Sequence, residues 1–389
     1  MPTLSGVDEV LKAATERGEV PGVVAMAASR DGPIYEGAFG RRVLPNGSAM
    51  TSDTVFWIAS MTKAITSTAA MQLVDRGKLS LDRPIAGLLP ELASPQVLEG
   101  FDASGEPRLR PAKRPITLRH LITHTAGFTY EIWNPEMGGY MERRGVPGII
   151  SCQNAALNLP LAFDPGERWD YGIGIDWAGK AVERASGQRL GDYFAENLFG
   201  PIGMTDTGFK LPPDRRARLA GMHARGDDGR LTAIEFELPQ EPEFEMGGGG
   251  LYGTAADYLA FERVFLNEGR ADGRQVLRAE TVRLMTENAM GDLNVRLLKT
   301  AVPAYSHDAE FFPGMVKKWG LGFMISTEPV PGGRRAGALC WAGLGNTYFW
   351  IDREAGIAGV ILMQLLPFAD PKALALLEKF EKALYIGLA

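Results

Sequence analysis

The chain has 389 residues, of which 45% are hydrophobic and 23% charged, a composition typical of a globular protein with one large core or two domains. The formal net charge of −6 gives no electrostatic case for binding nucleic acid or an anionic membrane. No apolar run has transmembrane length, and the N-terminus lacks the basic start and apolar stretch of a secretory signal, so we expect a cytoplasmic protein. The two distant cysteines, Cys152 and Cys340, are expected to be reduced thiols.

The two ends of the chain predict helices and strands in mirrored order. Apolar residues at helical spacing predict a helix over 7–17, and β-prone runs predict strands over 23–29 and 34–39. Near the C-terminus the predicted elements are strands over 321–326, 338–341, 347–351 and 357–365, then an amphipathic helix over 372–385. Because turns join neighbouring strands, we expect one antiparallel sheet built from both termini.

The middle of the chain is mainly helical in pattern. We divide the chain into an α/β domain formed by 1–85 and 245–389, and a mainly helical domain over 86–244 inserted between them. Within the insertion, the polar, proline-bearing stretch 99–115 is predicted to be a surface loop.

The first candidate for chemistry is Ser60, which opens a helical pattern that ends at Gly77. Free N–H groups and the positive dipole end favour negative charge at such a position. Lys63 lies one turn later on the same face, with Cβ atoms about 5–6 Å apart. It can take the serine proton if burial lowers its pKa. Ser-x-x-Lys is a signature of β-lactamases and penicillin-binding proteins, although an N-capping serine and a solvated lysine would read the same.

The second candidate is Tyr171, which stands where a loop leads into an apolar helical pattern over 175–185. A phenol with a pKa near 10 is a poor base at neutral pH unless a cation such as Lys63 stabilises the phenolate. The ordinary alternative is a core tyrosine whose hydroxyl is hydrogen-bonded.

The third candidate is the end of an apolar strand at 340–345, where small residues permit close approach of a substrate. A backbone N–H in this segment, together with that of Ser60, can form an oxyanion hole.

Together these segments resemble the three motifs of the class C β-lactamase and penicillin-binding protein superfamily, and most of all the family VIII carboxylesterases. The motifs are Ser60-Met61-Thr62-Lys63, Tyr171-Gly172-Ile173 and Trp341-Ala342-Gly343, in that order. The stretches 120–127 and 247–257 also resemble recurrent segments of the superfamily. The likeness covers most of the chain, from about residue 54 to residue 345.

The resemblance implies a serine β-lactamase-like fold of the α/β (α+β) class, with an antiparallel sheet flanked by helices and a mainly helical domain. It implies that Ser60 is acylated, that Lys63 and Tyr171 share proton transfer, and that the Ser60 and Leu344 N–H groups form the oxyanion hole. No metal or cofactor is implied. The expected function is a serine carboxylesterase that hydrolyses small, short-chain, uncharged esters.

Two departures from the β-lactamase pattern favour uncharged substrates. Ile173 replaces the asparagine that would contact a lactam side chain, and Trp341 replaces the lysine that would meet the lactam carboxylate. Trp341, Gly343, Ile173 and Phe128 are therefore the candidate substrate-binding residues. Aromatic residues near the motifs indicate a hydrophobic pocket. They are Phe128, Tyr130, Trp133, Trp169, Trp341 and Phe349.

Several alternatives remain open. A β-lactamase, a peptidase acting on D-amino-acid peptides and an acyltransferase would all use the same acyl-enzyme, and a non-catalytic binding protein could keep the fold. An α/β-hydrolase is disfavoured because no serine lies between glycines in Gly-x-Ser-x-Gly. A histidine triad would depend on His124, and a zinc hydrolase on His120 and His124, which lack the glutamate of His-Glu-x-x-His. The oligomeric state is left open.

Overall fold

The computed structural model of the protein describes residues 4–388, and its centre is a seven-stranded antiparallel sheet. The strands are β1 (Gly22–Ser29), β2 (Pro33–Gly40), β3 (Lys317–Trp319), β4 (Met324–Ser326), β5 (Leu339–Gly343), β6 (Thr347–Asp352) and β7 (Ile357–Leu362). Their order across the sheet is β3-β4-β5-β6-β7-β1-β2. Strand β7 pairs with β1 from Val24 opposite Leu362 to Ser29 opposite Ile357, and this pairing joins the two ends of the chain.

Helices cover both faces of this sheet. The longer helices are α1 (Ser5–Glu16), α2 (Thr62–Asp75), α3 (Pro135–Arg144), α4 (Gly174–Ser186), α5 (Ala255–Leu266), α6 (Ala279–Thr286) and α7 (Pro371–Leu388). On β6 the Phe349 ring lies 5.0 Å from Tyr258 of α5, and the Trp350 ring lies 5.5 Å from Phe380 of α7. Because consecutive residues of a strand point to opposite faces, α5 and α7 lie on opposite sides of the sheet.

The predicted fold class is confirmed, and the differences in detail are small. The sheet has one strand that the sequence did not predict, the short edge strand β3. The stretch 99–115 is not a simple loop, because most of it belongs to an exposed hairpin of Gln96–Phe101 and Pro107–Pro111. The first strand is anchored by the buried residues Val97 and Leu98, which precede the polar stretch, and backbone pairing carries the mostly exposed second strand. The remaining short strands are Phe56–Trp57, His223–Arg225, Leu231–Ala233, Tyr252–Gly253, Arg270–Ala271, Arg274–Gln275 and Leu365–Leu366.

The segment 86–244 contributes no strand to the large sheet within residues 4–388. It carries α3, α4 and the short helices Leu118–Ile122, Leu190–Phe194, Gly200–Ile202 and Pro213–Arg216. Helix α4 packs against α2, so the site described below lies where the two parts of the chain meet. The division at residues 85 and 245 remains a prediction. In the described part of the chain, none of the helices has the length and apolar content needed to cross a bilayer.

Candidate active site

Ser60 lies in a single 3₁₀ turn, Ala59–Met61, directly before α2. Ala59 has a φ of 45°, in the left-handed region that non-glycine residues rarely adopt. The end of β5 lies against this turn at Gly343, where a Cβ atom would collide with the carbonyl oxygen of Ile58. The absence of a side chain at Gly343 therefore lets the strand end and the serine turn meet.

Lys63 is fully buried, and its ammonium group has three acceptors. Its Nζ donates to Ser60 Oγ at 3.1 Å, to the Tyr130 hydroxyl at 3.0 Å and to the Gly248 carbonyl at 2.6 Å. Burial lowers the pKa of Lys63, and the charge of Asp176 opposes that shift. A deprotonated lysine keeps two N–H groups and gains one lone pair. Because a carbonyl can only accept, that lone pair must face Ser60 or Tyr130.

Tyr171 lies beside this group and is bonded to the third motif. Its hydroxyl accepts a hydrogen bond of 2.9 Å from the indole N–H of Trp341, and Lys63 Nζ lies 4.6 Å from its ring centroid. Burial raises the pKa of Tyr171, while hydrogen bonds with Ser60 and Trp341 oppose the rise. Trp341 is thus a hydrogen-bond donor to the phenol in addition to being apolar.

The structure also adds residues that the sequence did not assign to the proton chemistry. Tyr130 was expected only as part of an aromatic pocket, yet its hydroxyl contacts Lys63. Gly248 lies in the glycine-rich stretch that resembles the superfamily, but the partner of its carbonyl could not be read from spacing. Asp176 was not predicted at all, because its place in an apolar helical pattern reads as an ordinary first-turn acid.

An apolar cavity opens over Ser60. Ser60 and Leu344 both line it, as expected if their N–H groups face a substrate carbonyl. Most of the wall is aromatic or aliphatic, including Trp57, Ile132, Trp133, Phe236, Met246 and Leu366. Among the described residues that line the cavity, Glu131 is the only one with a carboxylate, and none is a lysine or an arginine. The cavity therefore favours uncharged groups.

The four candidate substrate-binding residues are not among those that line this cavity, and their contact with substrate stays a prediction. Phe128 stacks on Trp177 at 6.5 Å between ring centroids, and Ile173 is buried at the start of α4. Gly343 receives the serine turn, and Trp341 holds the Tyr171 hydroxyl. Of the other aromatic residues singled out in the sequence, Tyr130 and Trp133 line the cavity.

His124 does not form a triad with Ser60. Its ring lies 4.7 Å from that of Tyr171 and 4.9 Å from that of Trp319, and neither of its buried nitrogens has a hydrogen-bond partner among the described residues. Burial and the neighbouring Lys63 hold the pKa of His124 well below its usual value, so the ring is neutral. His120 is held elsewhere, where its Nδ1 accepts from the backbone N–H of Thr117. No group of three or more potential metal ligands is present in residues 4–388.

A serine and a lysine on one helix turn, a tyrosine from a second segment and a glycine-ended strand define a serine enzyme of the β-lactamase type. The β-lactamase family profile matches residues 7–382, and the chain belongs to this family. It is 34% identical over 397 residues to monacolin J acid methylbutanoyltransferase of Aspergillus terreus, covering 97% of this chain and 95% of that one. It is 32% identical to lovastatin esterase of Penicillium rubens, covering 96% of each chain.

The solved structures agree with this assignment. A mutant of simvastatin synthase from Aspergillus terreus superposes with a TM-score of 0.84 at 33% identity, over 99% of this chain and 97% of that one. The protein is therefore an enzyme of the β-lactamase-like group of serine hydrolases and acyltransferases.

Proposed function

We propose that the protein is a serine acyltransferase that moves a short acyl group from an activated donor, through an ester on Ser60, to the hydroxyl of a small apolar acceptor. The observation that carries this proposal is the Ser60–Lys63 pair at the base of an apolar cavity, in a chain similar over nearly its whole length to acyltransferases. This differs from the simple carboxylesterase expected from the motifs.

The first half-reaction acylates Ser60. The serine oxygen attacks the donor carbonyl, and its proton passes to Lys63 or to the Tyr171 phenolate; the hydrogen bonds of both residues with Ser60 support this role. The Ser60 and Leu344 N–H groups stabilise the negative charge on the carbonyl oxygen. Collapse of the tetrahedral intermediate breaks the bond to the leaving group, which takes up the proton.

The second half-reaction repeats these steps with the acceptor in place of the leaving group. The acceptor hydroxyl gives its proton to the same base and attacks the acyl carbonyl, and Ser60 leaves with a proton returned to its oxygen. The apolar wall supports transfer, because a bound apolar alcohol displaces the water that would otherwise hydrolyse the acyl-enzyme.

Hydrolysis by the same acyl-enzyme is the second candidate function. It is favoured by the similarity to lovastatin esterase, and it corresponds to the family VIII carboxylesterase activity expected from the sequence. The two functions differ only in whether water or an alcohol reaches the acyl-enzyme.

The test follows one acyl group to two products. The enzyme is given p-nitrophenyl butyrate alone and with alcohols of increasing apolar size, including monacolin J acid, and butyrate and butyryl ester are quantified by mass spectrometry. We expect the ester to become the main product as the acceptor grows, with ping-pong kinetics. Butyrate as the main product with every acceptor would contradict the acyltransferase and leave the esterase.

A Ser60→Ala variant is the control for the nucleophile. It should lose turnover with every acceptor, because it lacks the nucleophile. It should retain the thermal unfolding midpoint of the parent, because the substitution removes a single oxygen atom from the cavity lining. After a short exposure of the parent to donor, intact-mass analysis should show one butyryl adduct, and peptide mapping should place it on Ser60. An acyl adduct on another residue would overturn the assignment of the nucleophile.

A further inference from the structure

Asp176 is a fully buried carboxylate within the site that the proposed mechanism does not use. It lies in the first turn of α4, five residues after Tyr171. Its Oδ1 accepts a 2.7 Å hydrogen bond from the backbone N–H of Gly248, and its Oδ2 has no partner among the described residues. A carboxylate buried in this way is strongly unfavourable unless a nearby positive charge compensates for the lost hydration.

The compensating charge is Lys63, which is linked to Asp176 through the two backbone groups of one residue, Gly248. Gly248 donates its N–H to Asp176, while its carbonyl accepts the 2.6 Å hydrogen bond from Lys63 Nζ. Any side chain on Gly248 would collide with the Asp176 carboxylate, so the glycine permits this close approach. The carboxylate, the Gly248 residue and the ammonium therefore form one continuous chain of charge-assisted hydrogen bonds.

We propose that Asp176 is a positioning residue for Lys63: it fixes the Gly248 carbonyl that receives one lysine N–H, and its negative charge stabilises the ammonium form. The proposal rests on the proposed function, in which Lys63 exchanges a proton with Ser60. By holding one N–H away from the serine, the Gly248 carbonyl directs the lysine lone pair toward Ser60 and Tyr130. By its charge, Asp176 sets the pH at which that lone pair becomes available.

Other titratable groups also surround Lys63, and the charge of Asp176 acts on the two phenols among them. Tyr130 and Tyr171 face the lysine from two loops; burial raises the pKa of each phenol, and the charge of Asp176 raises it further. His124 also faces it, and its pKa is lowered by burial and then by Lys63. Burial and the charge of Asp176 also raise the pKa of Cys152, to about 12. Removing the charge of Asp176 should therefore lower the pKa of the lysine and of both phenols.

The test is the pH profile of Asp176→Asn and Asp176→Ser with p-nitrophenyl butyrate. Both side chains can still accept the Gly248 N–H, but neither carries a charge. Loss of the carboxylate destabilises the ammonium, so the free amine persists to lower pH. The acid limb of the kcat/KM profile should then shift to lower pH by about 1 unit or more, which is the usual effect of one nearby opposite charge on a pKa.

Asp257→Asn is the matched control. Asp257 also lies in the first turn of a helix, is mostly buried and accepts a backbone N–H, from Asp206 at 2.8 Å, and a hydrogen bond from Thr207. Loss of the Asp257 charge should leave the acid limb of the kcat/KM profile at the same pH as in the parent.

If the acid limb of kcat/KM stays at the same pH or shifts to higher pH in both Asp176 variants, and the butyryl adduct still forms on Ser60, the inference is overturned and the proposed function is left intact. No adduct on Ser60 in the parent enzyme would overturn the proposed function. If neither neutral variant folds, the carboxylate is required for the structure and its assignment as a positioning residue is wrong.

Discussion

Trp341 has a role in the structure that its sequence pattern did not predict. From the sequence it replaces a cation and adds an apolar wall, whereas the structure places its N–H on the Tyr171 hydroxyl. A neutral donor at this point stabilises a phenolate without supplying a charge that would attract an anionic substrate. The departure from the β-lactamase pattern therefore removes a cation from the site while retaining a hydrogen-bond donor to the phenol.

We expect Trp341→Phe to lower kcat by about 10- to 100-fold, corresponding to a lost hydrogen bond to a charged group of about 1.5–3 kcal/mol. The phenylalanine ring keeps most of the packing but cannot donate, so the pKa of Tyr171 rises further and its phenolate becomes rarer. Steady-state kinetics with p-nitrophenyl butyrate provide the measurement.

Trp319→Phe is the matched control for this prediction. Trp319 belongs to the same aromatic cluster, 4.6 Å from Trp341 between ring centroids, but donates its N–H to the carbonyl of Ile122. The Trp319→Phe variant should lose a comparable amount of packing, but its kcat should fall much less than that of Trp341→Phe. Equal kcat losses in the two variants would mean that the hydrogen bond to Tyr171 has no part in catalysis.

At the scale of elements, the site depends on how closely β5 approaches the turn before α2. The Gly343 position is surrounded by the Ile58 carbonyl, the Ala59 side chain and Thr347 of β6. The Ile58 carbonyl belongs to the backbone and Thr347 belongs to the sheet, so neither can move aside without a large cost in free energy. The geometry of Ser60 is therefore set by β5 as much as by its own helix.

Gly343→Ala should reduce kcat/KM by about 100-fold, since a shift of roughly 1 Å in reacting groups has an effect of this order. The added methyl group must push the serine turn away from β5 and from the Leu344 N–H. Gly32→Ala in the turn between β1 and β2 is the control, because a Cβ there meets no atom within 4 Å. Near-parental activity of Gly343→Ala would show that the turn tolerates the shift.

At the scale of the whole molecule, α7 ties the two ends of the chain together. It packs on the sheet through Phe380, next to Trp350 and Tyr35. Its Glu381 is buried and accepts from Arg334 at 2.8 Å through Nε and at 2.6 Å through Nη2. Burial alone would raise the pKa of Glu381, but the charge and hydrogen bonds of Arg334 outweigh it and hold the pKa below its ordinary value.

Glu381→Gln should destabilise the fold by about 3–5 kcal/mol at pH 7, because it leaves the Arg334 guanidinium buried and uncompensated. Since the folded pKa lies below the unfolded value of about 4.3, the contribution of Glu381 is fully present above that pH and is lost as the pH falls through the folded pKa. Urea unfolding should show that the difference in the free energy of unfolding between parent and variant is smaller at acidic pH than at pH 7.

Glu378→Gln, one turn earlier on α7, is the control for this stability prediction. Its exposed ion pair with Lys382 should contribute less than about 1 kcal/mol. A Glu381→Gln variant as stable as Glu378→Gln would contradict the assigned importance of the buried pair.

The sequence by itself determined the sheet from both termini, the helix after Ser60 and the three segments that meet in the site. It could do so because period and turn chemistry are local, and because Ser-x-x-Lys lies within one helical turn. The hairpin at 96–111 was missed because its buried residues, Val97 and Leu98, are adjacent rather than alternating, and its second strand is mostly exposed.

Only the tertiary structure decided which groups surround Lys63 and which line the cavity. The hydrogen bonds to Tyr130 and Gly248 join residues 67 and 185 positions apart, and no local pattern encodes such distances. For the same reason the sequence could not show that Trp341, Gly343, Ile173 and Phe128 do not line the cavity over Ser60, and their contact with substrate stays a prediction. A motif fixes which side chains are close in sequence, while the direction each one faces depends on elements packed from elsewhere in the chain.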